Sequence, residues 1–445
     1  MLAVLRELEH KYSREVVIIG VHSAKFLAEK AEANLRYATR RLQVDHPVVS
    51  DKDFKIWHEY VVRAWPTLIF IDPQGRIVGK HEGEAPLAAL DGLVADLVQS
   101  YESEGTLSRE PLSLKPELDE AKAGTLYFPG KILADKHSGR LIIADTGHHR
   151  IIVAGVDGKV WDIAGGGEPG LKDGDFTTSR FDSPQGMALR GDILFLADTG
   201  NHVIRRLDLE LRTVDTIAGT GIQSISRVNE GPARDIALSS PWDLALQGEY
   251  LFIAMAGLHQ IWLMDLQTHT VSVFAGAGPE GVRDGPREAA WFAQPSGLAR
   301  EPEDDLLYVA DSEASAIRWI DLGPRGGVHT LVGLGLFEFG DVDGAGASVR
   351  LQHALGVAAS EGVLYIADTY NNKIKRAMPG TREVATFAGD GRPGARDGSA
   401  GDASFNEPGG LSATGGLLYV ADTNNHVIRV IDLASRDVRT LEIAE

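Results

Sequence analysis

The chain of 445 residues contains no cysteine. This absence excludes disulfide bonds, thiolate metal sites and thiol–disulfide exchange by these residues, because each of them requires a cysteine sulfur atom. Long hydrophobic runs are also absent: stretches such as "VVIIGV" at 16–21 are far too short to span a bilayer, and the first residues lack the basic and apolar regions of a signal peptide. We therefore expect a cytoplasmic chain with no membrane partner, and export stays open as an alternative if the true start of the gene lies upstream.

Positive charge is scarce relative to negative charge. The 44 Lys and Arg side chains are outnumbered by 63 Asp and Glu side chains, which gives a formal net charge of −19. Residues 1–104 hold 13 basic and 16 acidic side chains, so that 31 basic and 47 acidic side chains, net −16, remain for the rest. Such a surface repels phosphate backbones, and we expect no nucleic-acid partner. Partners of the acidic part are expected to be neutral or basic.

The first hundred residues alternate between helical and strand patterns. Leucines recur at helical spacing in the first twelve residues, and "EVVIIGVHS" at 15–23 is a β-branched run typical of a buried parallel strand. Helical stretches at 25–44 and 52–63 flank a short strand at 46–51, and a hairpin followed by an amphipathic helix at 86–101 closes the region. This α-β-α-β-α-β-β-α order predicts an α/β domain.

The segment "RAWPTLIFIDPQGRIVG", together with this order of elements, resembles the second half of a thioredoxin fold. The resemblance implies that Pro66 is a cis-proline, which costs little at an X-Pro bond, and that the backbone beside it binds extended peptides. A trans proline that opens an edge strand is the alternative. His22 and Ser23 follow the first strand. They lie either at the end of the sheet that carries Pro66, or in a loop where they have no functional role. We predict a peptide-binding edge formed by Trp65, Pro66, Thr67, His22 and Ser23.

The chain departs from the thioredoxin pattern at the reactive site. In that family a Cys-x-x-Cys motif, preceded by a further strand, stands just before the helix that residues 1–12 represent, and both are missing here. Two explanations are open: the start codon lies inside a longer gene that encodes the cysteines, or the domain has lost them and serves for binding. Because the loss of a strand exposes the apolar faces of a parallel sheet, the first explanation is favoured.

The rest of the chain repeats itself. An apolar strand that ends in Ala-Asp and a turn recurs six times at intervals of 53–57 residues, as in "LFLADTGNHVIRRLDL" and "LYVADTNNHVIRVIDL", with Met255 replacing the Asp in the third unit. Each unit holds four short strands bounded by Gly, Asp or Asn, which predicts a six-bladed β-propeller; a solenoid is the alternative. The predicted domains are 1–104, thioredoxin-like without its first strand; 105–123, a linker with one strand, "LSLKP"; and 124–445, the propeller.

The motif "ADTGNHVIRRLDL" resembles the NHL repeat. Six such repeats after the segments "IIGVHSAKF" and "RAWPT" resemble the NHL-repeat-containing protein two family and its bacterial relatives. The fold class that this resemblance implies is an α/β thioredoxin-like domain, incomplete at its N-terminus, followed by an all-β six-bladed NHL or TolB-like propeller. The resemblance indicates an architecture rather than an activity.

One face of the predicted propeller collects the turns between second and third strands and the long Gly-rich connections between blades; we call it the loop face. The repeated Asp is expected to accept backbone N–H groups within its own turn. Histidines that converge on the axis would suit zinc. A residue that recurs around the ring, however, typically stabilises the turn of each repeat, and we expect no metal. The candidate loop-face residues are His149, Asn201, His202, His259, Asn371, Asn372, Asn425 and His426.

The leading hypothesis is a non-catalytic scaffold that binds a protein or peptide on the loop face and carries a redox-inactive thioredoxin-like module. It predicts no catalytic residue and no cofactor. One alternative is a thiol–disulfide oxidoreductase whose Cys-x-x-Cys motif lies upstream of Met1. Another is a metal-dependent lyase or hydrolase in the propeller channel.

Overall fold

The computed structural model describes four stretches of the chain: residues 1–110, 124–224, 230–301 and 305–444. The chain divides into two units, Met1–Ala123 and Gly124–Glu445. The predicted linker strand "LSLKP" lies outside the described residues. Among the helices that the structure describes, none is long and apolar enough to cross a bilayer.

The first unit has the predicted α-β-α-β-α-β-β-α order. Strands β1 and β2 form a parallel pair, and β3 and β4 form a separate antiparallel pair. Leu8, Leu90 and Val94, on the first and last helices, pack with Leu68 and Phe70 of β3. The elements are α1 (Leu2–Lys11), β1 (Gly20–His22), a 3₁₀ turn (Ala28–Lys30), α2 (Glu32–Arg41), β2 (Val48–Ser50), α3 (Lys55–Glu59), β3 (Thr67–Ile71), β4 (Ile77–Glu82) and α4 (Leu87–Ser103).

Several elements of this unit are shorter than the sequence pattern predicts. Strand β1 has three residues, because only Gly20 to His22 pair with β2. Helix α3 starts only at Lys55, since Phe54 has a left-handed backbone with φ of 58° and the Asp51 carboxylate accepts the N–H groups of the first helical turn. The spacing of apolar residues does not show where such an element begins or ends.

The second unit contains six antiparallel blades of four main strands each. Blade 1 comprises β5 (Lys131–Asp135), β6 (Arg140–Asp145), β7 (Arg150–Gly155) and β8 (Val160–Ala164). Blade 2 comprises β9 (Gly174–Asp175), β10 (Pro184–Arg190), β11 (Ile193–Asp198), β12 (Val203–Asp208) and β13 (Thr213–Ala218). Blade 3 comprises β14 (Glu230–Pro232), β15 (Pro241–Gln247), β16 (Tyr250–Met255), β17 (Gln260–Asp265) and β18 (Thr270–Ala275). Blade 4 comprises β19 (Gly285–Pro286), β20 (Pro295–Ala299), β21 (Leu306–Asp311), β22 (Ala316–Asp321) and β23 (Gly327–Val332). Blade 5 comprises β24 (Gly344–Ala345), β25 (Gly356–Ser360), β26 (Val363–Asp368), β27 (Lys373–Met378) and β28 (Glu383–Ala388). Blade 6 comprises β29 (Gly398–Ser399), β30 (Pro408–Thr414), β31 (Leu417–Asp422), β32 (Val427–Asp432) and β33 (Asp437–Leu441).

Five blades carry a fifth strand that the sequence does not predict. The Gly-rich connection that leaves one blade adds a strand of two or three residues to the outer edge of the next, as β9 does on β13. A strand this short has no alternating pattern to detect. Short 3₁₀ turns occupy Thr146–His148, Ala256–Leu258, Arg287–Ala289, Ser312–Ala314, Gly346–Ser348, Thr369–Asn371 and Thr423–Asn425.

The ring closes between blade 6 and blade 1. Each first main strand lies beside the first main strand of the next blade, and β30 lies beside β5. Blade 1 obtains its additional outer pairing from the C-terminal segment: Val160 N–H donates to the Ala444 carbonyl at 2.9 Å, and Ala444 N–H donates to the Gly158 carbonyl at 3.1 Å. Apolar side chains fill the space between neighbouring blades, as Ile204, Leu244 and Trp262 do.

Candidate interaction surfaces

The repeated turn of every blade ends in a residue with left-handed backbone. Its side chain reaches the following blade and accepts a hydrogen bond from a backbone N–H there, and in the four histidines the acceptor is Nδ1. Phe128 N–H and His426 make this bond at the seam of the ring. The six residues and their φ angles are His149 (52°), His202 (54°), His259 (55°), Ser315 (49°), Asn372 (54°) and His426 (59°). Their donors are Ser183, Ser240, Gln294, His353, Glu407 and Phe128, at 2.9–3.1 Å.

Three of the predicted loop-face asparagines, Asn201, Asn371 and Asn425, occupy the preceding position of the turn. Each Nδ2 donates to the Asp three residues earlier and to a carbonyl of the Gly-rich connection, at 2.7–2.9 Å. The eight predicted side chains therefore join turns to connections and blades to blades. Within the described stretches, no group of three or more His, Asp or Glu side chains is arranged to hold a metal ion. That the face binds a partner stays a prediction.

Replacing His426 by alanine is expected to lower the free energy of unfolding of the propeller by about 1–3 kcal/mol, because the buried Phe128 N–H loses its acceptor. The variant His426→Asn should restore most of this loss, since Asn372 has the same role and backbone conformation in blade 5. Thermal unfolding followed by circular dichroism measures the effect, with the exposed His137→Ala as a neutral control. If His426→Asn is as unstable as His426→Ala, the side-chain acceptor does not stabilise the seam.

The sequence predicts that the repeated Asp accepts backbone N–H groups of its own turn, but the backbone donor lies elsewhere in the blade. In five blades its Oδ1 accepts a backbone N–H from the segment before the first main strand, as Asp422 does from Asn406 at 2.7 Å. In blades 2, 4 and 6 its Oδ2 also pairs with a fully buried Arg seven residues later. The carboxylate thus connects three parts of the blade that are distant in sequence. The five pairs of acceptor and donor are Asp145 with Tyr127, Asp198 with Asp182, Asp311 with Ala293, Asp368 with Gln352 and Asp422 with Asn406.

The buried cations of these blades were missed by sequence reasoning. Arg429 Nη2 also contacts Asp397 of the connection at 2.8 Å, and its guanidinium lies 5.2 Å from the centre of the Phe405 ring. Blade 5 uses Lys375 in the same place. Blade 3 replaces both partners at once, with Met255 and Trp262. A cation stands seven residues after the Asp in four of the five blades that keep the Asp, while blade 1 pairs Asp145 with Arg150 instead. This recurrence was a readable signal of the pairing.

Burial opposes the charge of these carboxylates. Desolvation raises the pKa of Asp198, Asp311 and Asp422 to about 6, although the adjacent guanidinium and the donated hydrogen bonds lower it. Asp368 has its pKa raised to about 7 by the same burial, against hydrogen bonds from Asn371 and Gln352 and the charge of Lys375. These groups therefore belong to the structural interior of the propeller.

An ion pair crosses the axis of the propeller. Lys131, on β5, extends across the ring and donates from Nζ to Asp243 of β15 at 3.0 Å and to the carbonyls of Ser296 and Leu355 at 2.8 and 3.1 Å. Both charged side chains are nearly buried, 7% and 11% exposed. The other four blades have glycine at this position, where a Cβ would collide with a neighbouring strand: Gly186, Gly297, Gly356 and Gly410.

The connections of the loop face carry large apolar side chains in contact with solvent. Ile222 is 71% exposed and Phe337 68%, and Leu171 and Leu334 are also exposed. In the connections of Leu171 and Phe337, the Gly170 and Gly340 carbonyls accept hydrogen bonds from the turn residues Asn201 and Asn371. In the connection of Ile222, Ser224 N–H donates to the Leu238 carbonyl at 2.8 Å. Apolar side chains presented on an ordered polar frame are typical of protein-binding surfaces.

The residues of the predicted edge lie around a cis Trp65–Pro66 peptide bond, and that they bind a peptide stays a prediction. The Trp65 indole Nε1 donates to the Ser23 carbonyl at 3.0 Å, and its ring lies 4.4 Å from that of Trp57 while remaining 47% exposed. The Ser23 hydroxyl donates to Asp51 at 2.9 Å. Trp65 therefore presents an exposed aromatic face beside the proline.

The polar residues of this edge have different surroundings. Burial would raise the pKa of the Asp51 carboxyl, but hydrogen bonds from the Trp57 and Ile56 N–H groups and from Ser23 outweigh it and keep the pKa below its usual value. Thr67 donates its hydroxyl proton to the Ala64 carbonyl at 2.7 Å. Within the described residues, the buried Nε2 of His22 has no hydrogen-bond partner. The five predicted residues thus occupy one end of the unit, with Trp65 the exposed member.

The two units define a class of protein, in which a thioredoxin-like domain precedes a six-bladed propeller of NHL repeats. A family model for thioredoxin-like domains matches residues 1–77, and one for the NHL repeat matches residues 405–431. Both matches agree with the folds described above.

The chain belongs to the family of NHL repeat-containing protein 2. It is 42% identical over its full length to the proteins of that name from Gallus gallus and Homo sapiens, and it spans 66% of the length of each. It is 39% identical over its full length to the Protein SUPPRESSOR OF QUENCHING 1, chloroplastic, of Arabidopsis thaliana, of which it spans 44%.

Proposed function

We propose that this chain is a non-catalytic interaction protein whose propeller binds a protein or peptide on the loop face. The observation that carries the proposal is the exposure of Ile222 and Phe337 on connections that contain hydrogen bonds, from Ser224 N–H to the Leu238 carbonyl in the first and from Asn371 to the Gly340 carbonyl in the second. Burying such side chains against a partner is favourable by about 25 cal/mol per Å² of apolar surface. The Lys131–Asp243 ion pair, which crosses the axis, argues for recognition on the face rather than inside a channel.

The thioredoxin-like unit takes part as a binding module in this proposal. Residues 1–445 offer no thiolate for disulfide exchange. What the unit offers is Trp65, an amphipathic ring that is 47% exposed beside Pro66 and supported by Trp57. Aromatic side chains with few rotatable bonds lose little entropy on binding, which suits them to peptide recognition.

Quantitative capture experiments test the role of the loop face. The 445-residue chain, the double variant Ile222→Glu with Phe337→Glu, and the control Leu211→Glu are used as baits in a lysate of the source cell. Leu211 is 72% exposed at a turn on the opposite face of the propeller, so the control adds charge at equal exposure. We expect specific partners to be depleted about tenfold or more by the double variant and retained by the control.

Two outcomes would contradict the proposal. Partners that bind the double variant as well as the unchanged chain do not use the loop face. Partners that are lost equally with Leu211→Glu respond to added negative charge rather than to the apolar side chains. Circular dichroism of each bait confirms that the propeller remains folded.

A further inference from the structure

Backbone carbonyl groups surround the axis of the propeller. Each axial glycine is crowded by a carbonyl oxygen of the following blade: a Cβ atom at Gly356 would lie 2.1 Å from the Gly409 oxygen, and one at Gly186 would lie 2.7 Å from the Trp242 oxygen. Carbonyl oxygen atoms therefore follow the axial positions from blade to blade. The pairs of axial glycine and crowding carbonyl are Gly186 with Trp242, Gly297 with Leu355, Gly356 with Gly409, and Gly410 with Gly130.

A ring of carbonyl oxygens attracts positive charge, because each oxygen is the negative end of a peptide dipole. Lys131 supplies that charge: its Nζ lies 2.8 and 3.1 Å from the Ser296 and Leu355 carbonyl oxygens and 3.0 Å from Asp243 Oδ2. The Leu355 oxygen is one of those that crowd an axial glycine. We call the Asp243 carboxylate and the Ser296 and Leu355 carbonyls the axial site.

The oxygen atoms of the axial site are held in place by contacts that do not involve Lys131. Asp243 Oδ1 accepts the Leu244 N–H at 2.9 Å, and Oδ2 accepts the Leu298 N–H at 2.9 Å. The two carbonyls belong to the backbone of blades 4 and 5, within β20 and directly before β25. The site therefore keeps its shape when the ammonium group is removed.

The composition of the axial site favours a monovalent cation. Of the three oxygen atoms that Nζ contacts, one belongs to a carboxylate and two belong to neutral carbonyls, so a single positive charge balances the site. A divalent ion would leave an excess charge beside side chains that are nearly buried, which is costly. Potassium has the charge of an ammonium group and a similar size, and backbone carbonyls bind it by replacing its hydration shell.

We propose that the axial site is a binding site for a monovalent cation of the size of ammonium or potassium, and that the Lys131 ammonium occupies it in the unchanged chain. Removal of this ammonium opens the site to a free cation, which the Asp243 carboxylate and the Ser296 and Leu355 carbonyls then hold. The site lies within the propeller, and it does not depend on the function proposed for the loop face.

Thermal unfolding in different salts tests the site in the 445-residue chain. The variant Lys131→Ala is compared in potassium chloride and in tetramethylammonium chloride at equal ionic strength, since tetramethylammonium has the same charge but is too large for the site. We expect potassium to raise the unfolding midpoint of the variant by at least about 2 °C, because the ion binds the folded state alone. Ammonium chloride should act as potassium chloride does. The midpoint of the unchanged chain should be the same in the three salts.

Two further variants make the test decisive. Lys131→Met ends before the Nζ position and keeps most of the packing of the lysine stem, so it should show the same potassium effect. The double variant Lys131→Ala with Asp243→Ala lacks the carboxylate and should show none. Equal midpoints of Lys131→Ala in the three salts, or an equal potassium effect on the double variant, would overturn the proposal. Failure of both single variants to fold in potassium chloride would also overturn it, because the bound ion should replace the missing charge.

Discussion

The variant Arg429→Ala is expected to lose about 3–5 kcal/mol of propeller stability, because it leaves the fully buried Asp422 carboxylate without its cation. Arg429 contacts Asp422 at 3.0 Å and Asp397 at 2.8 Å, and it donates to the carbonyls of Ser404 and Arg396 at 2.8 Å each. One side chain thus connects the turn, the connection and the third main strand of blade 6. Thermal and urea unfolding of the propeller transition measure the loss.

The loss should also depend on pH. Burial already raises the pKa of Asp422 to about 6, and removal of the guanidinium raises it further, while in the unfolded chain the pKa is about 3.9. A raised pKa in the folded state contributes stability that is complete at low pH and is lost as the pH rises through the folded value. The deficit of Arg429→Ala should therefore grow as the pH rises above about 6, because the unchanged chain loses no further stability above the pKa of its own Asp422 while the variant continues to lose it. The exposed Arg439→Ala is the control, and a deficit below about 1 kcal/mol would contradict the role of Arg429.

Removing either partner at the axis is expected to cost about 3–5 kcal/mol, because each leaves the other charge buried and unpaired. Lys131→Ala leaves Asp243 with the N–H groups of Leu244 and Leu298, and Asp243→Ala leaves Lys131 with two carbonyl acceptors. The double variant Lys131→Gly with Asp243→Gly places at both positions the residue found in the other four blades. It should be clearly more stable than the sum of the two single losses predicts.

A double-mutant cycle measured by urea unfolding separates this coupling from the loss of packing. For its single variants the cycle uses Lys131→Gly and Asp243→Gly, which match the double variant. We expect a coupling energy of about 1–3 kcal/mol between the two residues. Additive losses would show that Lys131 and Asp243 stabilise the axis independently of each other.

The sequence predicted the two folds because their signals are local or periodic. The Ala-Asp turns at intervals of 53–57 residues specified six blades, and the order of apolar runs around Pro66 specified the first unit. The fifth strands were missed because two or three residues carry no period.

The side-chain roles on the loop face were less predictable. Recurrence identified His426 and its equivalents, but it could not distinguish a residue that meets a partner from one that accepts a hydrogen bond from the next blade. The axis pair was hidden for another reason: Lys131 and Asp243 are 112 residues apart and break a glycine pattern that is evident only once the blades are aligned. Ile222 and Phe337 were missed because connection residues vary between repeats.

We propose that the exposed connections of the propeller, rather than a reactive centre, give this protein its function. The most direct test is the dissociation constant of a captured partner for the purified 445-residue chain and for the double variant Ile222→Glu with Phe337→Glu. We predict a dissociation constant at least about tenfold larger for the double variant, with Leu211→Glu unchanged. Equal dissociation constants for all three proteins would contradict the claim.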